Sequence, residues 1–124
     1  MTMTAAQFRA AYSYLGFSLT DFAATLGVKT NTARAWDKGR NAAPSGVAEE
    51  IEGFLDETDT AVDYLVHHYE THPAEWPMEI PRTPEDLHDS IPDMRLSFLP
   101  SLDWWKHVGI RVCRRVPGLT LEWG

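Results

Sequence analysis

A glycine at position 27, set between two short apolar-patterned stretches, constrains the fold of this chain more than any other feature. Residues 17–40 read FSLTDFAATLGVKTNTARAWDKGR. Phe22, Ala23, Leu26, Val28, Ala33 and Trp36 recur at the spacing that lets two short helices share one small core. Gly27 falls where the first helix must stop, because a left-handed backbone there costs glycine nothing. Ser18 can cap that helix, Asp21 can complete a capping box, and Phe17 and Phe22 stand in the positions of a hydrophobic staple. The second helix is expected from about Thr30 to about Lys38, ahead of Gly39.

Two short helices around a tight turn, with the second polar and basic outside, make a helix-turn-helix pattern. In that motif the second helix enters the major groove by its N-terminal part while the first crosses the backbone. Asn31 and Arg34, assisted by Thr30, are the expected readers of base edges. Asparagine pairs bidentately with adenine, and arginine with guanine. Lys29, Lys38 and Arg40 are the expected phosphate contacts, which fix register without carrying sequence information.

The steps Phe22-Ala23, Leu26-Gly27-Val28 and Arg34-Ala35-Trp36 resemble those of the lambda-repressor/Xre-type helix-turn-helix family. A closer resemblance runs through RAWDKGRNAAPSGVAEEI, an acidic helix after it and a short tryptophan-containing tail. It is to the YdiL-like and anti-CRISPR-associated (Aca-type) phage regulators. The resemblance is specific over about residues 15–55 and fades beyond about residue 75. It implies an N-terminal DNA-binding domain, a C-terminal dimerisation element and repression of the protein's own operon. Leu19 departs from the family, which commonly places a phosphate-contacting glutamine there.

A net charge of −7 sits oddly with DNA until it is divided along the chain. Residues 1–40 hold five Lys and Arg against two carboxylates (+3), residues 41–103 two against fifteen (−13), and residues 104–124 four against one (+3). Phosphate attraction is local, being screened beyond about 8–10 Å at ordinary salt, so a basic face on an acidic body suffices. With 44% apolar and 11% aromatic residues, the chain has the composition of a folded domain rather than a disordered one. Its one cysteine, Cys113, excludes an intramolecular disulfide and a cysteine-based zinc finger. No stretch approaches a membrane span and no basic-then-apolar signal opens the chain, so the expectation is a cytoplasmic protein.

Elsewhere the pattern is mainly helical. Thr4 and Gln7 frame a capping box for a helix from about Ala5 to Leu15. After Pro44, the positions Val47, Ile51, Phe54, Leu55, Thr58, Ala61, Val62, Leu65 and Tyr69 keep one face for over six turns, which favours one long helix despite Gly53. Its second half needs cover, and a partner subunit is the simplest. Residues 73–100 hold six of the eight prolines, yet Trp76, Met78, Ile80, Leu87, Met94, Leu96, Phe98 and Leu99 are too apolar for a linker. That segment is expected to pack on the long helix, with a short helix over Pro84–Asp89 behind Thr83. A last helix is expected from Ser101 to about Arg115. Leu119, Leu121 and Trp123 then alternate as in a half-buried strand, which must pair with Met78–Arg82 or with a second copy of itself.

Several other clusters fit ordinary surface chemistry. In the basic cluster Lys106, Arg111, Arg114 and Arg115, the last two suit a helix C-terminus and its dipole, although a second nucleic-acid surface is the sharper alternative. His68 and His72, four apart beside His67, have a spacing that can hold a metal, but no third ligand is evident and none is expected to bind. The carboxylates of residues 49–63 are the solvated face of the long helix. No nucleophile–base pair or phosphate loop stands out, so neither an enzyme nor a cofactor is expected.

The expected fold is mainly α. It has a five-helix-type helix-turn-helix domain over residues 1–72 and a small strand-helix-strand dimerisation element over residues 73–124. Leu65, Tyr69, Trp105, Val112, Leu119, Leu121 and Trp123 are the expected dimer contacts. The expected function is a sequence-specific repressor that binds an inverted repeat in double-stranded DNA as a homodimer. The alternatives are an antitoxin-like protein-binding module and an RNA-binding translational regulator.

Overall fold

The computed structural model describes residues 2–89 and 101–124, and the chain is mainly helical with a small parallel sheet near its C-terminal end. The helices are α1 (Ala5–Tyr14), α2 (Leu19–Leu26), α3 (Thr30–Asp37), α4 (Ser45–Thr71) and α5 (Leu102–Arg115). The strands are β1 (Met78–Ile80) and β2 (Leu121–Trp123). Two compact units result, Met1–Asp56 and Glu57–Gly124. The division falls inside α4 rather than after residue 72, and four α-helices rather than five begin among the described residues before that point.

Local signals set the ends of the first three helices. Thr4 and Gln7 exchange hydrogen bonds in a full capping box, Thr4 N–H to Gln7 Oε1 at 2.8 Å and Gln7 N–H to Thr4 Oγ1 at 3.0 Å. Ser18 Oγ accepts the Asp21 N–H at 3.1 Å, and the Phe17 and Phe22 rings meet at 5.4 Å. Each helix closes by the same paired pattern, in which the residue after a glycine donates five residues back: Phe17 to Tyr12, Val28 to Ala23 and Arg40 to Ala35. The core of this unit is aromatic. Phe8 lies 5.8 Å from both Phe22 and Trp36, and Phe22 lies 6.4 Å from Phe54 on α4. Ala11, Leu15, Ala23, Ala33, Ala48 and Ile51 fill the remainder.

In the second unit α4 continues unbroken to Thr71, as its periodicity implies, and α5 covers it from within the same chain. The Trp104 indole donates to Thr58 Oγ1 at 3.0 Å. Arg111 pairs with Asp59 at 3.1 Å and Arg115 with Asp63 at 2.6 Å. Both ion pairs have the same sequence separation of 52 residues, so α4 and α5 run in the same direction here. Within the chain, α5 thus supplies cover for the stripe of α4. Leu65, Trp105, Val112 and Leu119, expected at a dimer interface, are buried core residues of the single chain.

The C-terminal strand takes the first of its two expected partners. Met78, Glu79 and Ile80 pair in parallel with Leu121, Glu122 and Trp123. Strand, helix and strand thus follow in the expected order, with α5 packed on both strands. The bare α-carbon of Gly109 admits β2: a Cβ there would stand 2.7 Å from Leu121 Cδ1. Thr83 and Asp86 close a 3-10 turn at Pro84–Asp89, where a short helix was expected. The expected packing of Met94, Leu96, Phe98 and Leu99 lies outside the described residues.

Candidate nucleic-acid interface

The α2–α3 pair presents a compact polar surface. Gly27, with φ at 73°, turns the chain after α2, and α3 begins three residues later. Ala33 and Trp36 are buried against the aromatic core, which fixes the roll of α3 about its axis. That roll leaves Lys29, Asn31, Arg34, Lys38 and Arg40 exposed and Thr30 half-buried, so all six expected contact residues reach the surface. Lys29 occupies the N-cap of α3 and supplies no side-chain cap. The first amide groups of α3 therefore point outward beside a lysine, an arrangement that favours an anion.

Arg34 Nη1 donates to Asn31 Oδ1 at 3.0 Å, one turn earlier on α3. The bond aligns both side chains on one face without exhausting either. Arg34 retains four N–H donors, while Asn31 retains a second lone pair and its amide hydrogens.

The charges around α3 divide by partner. Arg9, although in the same unit, forms a bidentate pair with Asp37 at 2.8 and 2.7 Å, and Tyr12 donates to the same carboxylate at 3.0 Å. The Arg9 guanidinium holds the Asp37 carboxyl below its ordinary range, against the opposing pull of burial. Burial and Asp37 together push the Tyr12 phenol up. By contrast, Lys29, Arg34, Lys38 and Arg40 have no ion pair among the described residues.

The other basic cluster is different. Lys106 pairs with Asp103 at 3.0 Å, and Arg111 and Arg115 pair with α4, which leaves Arg114 alone of the four without an ion pair among the described residues. That pattern is a largely compensated helix, its cations paired along its length. Of the expected dimer contacts, Trp123 stays exposed at 47%, under the Arg82 guanidinium at 5.3 Å, while Tyr69 and Leu121 are half-buried.

Two features escaped the sequence reading. One is the Arg9–Asp37–Tyr12 cluster, whose only local sign is a carboxylate at the helix end where the dipole disfavours it. The other is Glu75, which the 3-10 turn Pro73–Glu75 brings within 2.7 Å of His68 Nε2 and so beside the histidine pair.

In comparisons with known proteins, no family model, curated protein or solved structure matches the chain. No helix among the described residues is long and apolar enough to cross a membrane.

Proposed function

We propose that α2 and α3 form a helix-turn-helix unit and that the protein is a sequence-specific double-stranded DNA-binding repressor of the Xre/Aca-like kind. One observation carries this reading. Four cations surround α3 without an ion pair among the described residues, whereas Arg9, Lys106, Arg111 and Arg115 are each paired with a carboxylate within the fold. Unpaired exposed cations around an uncapped helix start are ready to exchange their counterions for phosphates. Asn31 and Arg34, aligned on one face, supply the chemistry for adenine and guanine.

A single unit of this size spans too few base pairs for useful discrimination. The reading therefore includes a homodimer on an inverted repeat, with half-sites roughly 34–36 Å apart. Repression then follows from occupancy, since a bound dimer excludes RNA polymerase from the promoter. The surface available for self-association on the second unit includes Trp123 rather than the buried residues of α5.

Selection from random duplexes followed by gel shift tests the proposal directly. The expected product is an enriched palindrome bound by two chains per duplex in sedimentation. An unenriched pool, or tighter binding to structured RNA than to any duplex at equal salt, would contradict it.

A further inference from the structure

Three side chains with metal-binding chemistry converge where α4 ends. His68 lies in the last turn of α4 and His72 directly follows the helix, and their rings stack with centroids 4.6 Å apart. The turn at Pro73–Glu75 folds back so that Glu75 Oε2 lies 2.7 Å from His68 Nε2. One ligand atom from each of the three lies within 4.8 Å of the others. Trp76 anchors the fold-back, its indole N–H donating to the Tyr69 carbonyl at 2.8 Å.

Neighbouring groups define the tautomer of His72. Its Nδ1 lies 2.9 Å from the His68 carbonyl oxygen, which can only accept, so Nδ1 carries the hydrogen. Thr71 Oγ1 sits 2.9 Å from the same nitrogen and donates its own hydrogen to the His67 carbonyl at 2.8 Å, so it too accepts from Nδ1. In that tautomer the ring lone pair lies at Nε2. Metal-bound histidines are commonly oriented this way, with one ring N–H given to a backbone carbonyl and the other nitrogen to the ion.

We propose that His68, His72 and Glu75 bind one divalent transition-metal ion of the zinc class, with its remaining position open to water. Tetrahedral bonds of about 2.0–2.1 Å separate ligand atoms by roughly 3.3 Å. Binding draws the ligand atoms, which lie within 4.8 Å of one another, in to that spacing, and His68 exchanges its contact with Glu75 for a shared contact with the ion. The His68 and Glu75 side chains are 31% and 55% exposed, so an ion arrives without opening the core. Two imidazoles and one carboxylate favour zinc, cobalt, nickel or copper over calcium and magnesium. A bound ion ties the Pro73–Glu75 turn to α4.

Titration of the metal-free, untagged full chain with Co2+, followed by Zn2+ displacement, tests the site. The expected result is one ion per chain and a visible Co2+ spectrum of four- or five-coordinate intensity, unaffected by Mg2+. His72→Ala and Glu75→Gln each weaken binding by about tenfold or more, the scale on which such sites respond even to outer-shell changes. His67→Ala, on the same helix but outside the cluster, leaves affinity within about twofold. Circular dichroism shows unchanged helix content in all three variants. Absence of saturable binding, more than one ion per chain, a purely six-coordinate spectrum, or an equal loss in His67→Ala would overturn the proposal.

Discussion

The indole N–H of Trp104 donates to the hydroxyl of Thr58 at 3.0 Å in the interior of the second unit. Thr58 is fully buried on an otherwise apolar stripe, and the bond explains why a polar residue is tolerated there. Thr58→Val keeps the shape but leaves the indole N–H without its acceptor, at a cost of about 1–3 kcal/mol. Urea denaturation monitored by helix content checks the loss; an unchanged midpoint would mean that the bond is immaterial.

Asn31 and Arg34 should behave as a coupled pair. Arg34→Ala is expected to cost about 1–3 kcal/mol on the preferred duplex and to relax one base position. Because Asn31 aligns Arg34, the double variant should depart from additivity by roughly 0.5–3 kcal/mol. Equal loss on every sequence would reassign Arg34 as a phosphate contact.

Lys29, Lys38 and Arg40 should act on affinity alone. Each alanine substitution is expected to weaken all duplexes alike and to reduce the slope of log affinity against log salt by about 0.9. Arg9→Ala should leave that slope unchanged, since Arg9 is already paired with Asp37. Titrations at four salt concentrations distinguish the two groups.

Asp37 couples the first unit to acid. Its carboxyl is held below the ordinary value by Arg9, so its stabilisation is complete above about pH 4. It is lost as the pH falls through the lowered folded value, because the unfolded chain takes up that proton first. Asp37→Asn should flatten the dependence of stability on pH below about 4. Thermal melts across that range provide the measurement.

His107 acts higher on the scale. Burial, reinforced by Arg111, lowers it from its ordinary 6.5. The fold thus favours the neutral ring, and this contribution is present above about pH 6.5 and is lost as the pH drops below it. His107→Gln should make the melting temperature less sensitive to pH below about 6.5. A wild-type curve already flat there would refute the assignment.

The N-terminal helices were legible because their signals are local. Thr4 with Gln7, Ser18 with Asp21, and the glycines after α1, α2 and α3 act within five residues of one another. What could not be read depends on distance. Nothing near Arg9 marks it as the partner of Asp37, 28 residues away. The stripe on α4 announces that it needs cover, yet the pattern is the same whether α5 or another molecule supplies it. Likewise the spacing of His68 and His72 is visible in the sequence, but the turn that returns Glu75 to them is not.

The two units also differ in when they can form. The interactions described within the first unit involve residues no later than Phe54. The second needs rungs 52 residues apart and a strand pair joining Met78 to Leu121. During synthesis, the first unit can therefore fold while the stripe of α4 still lacks its partner helix. Until α5 leaves the ribosome, Thr58 lacks its indole partner and Asp59 and Asp63 lack their arginines, and apolar surface left exposed in that interval favours aggregation.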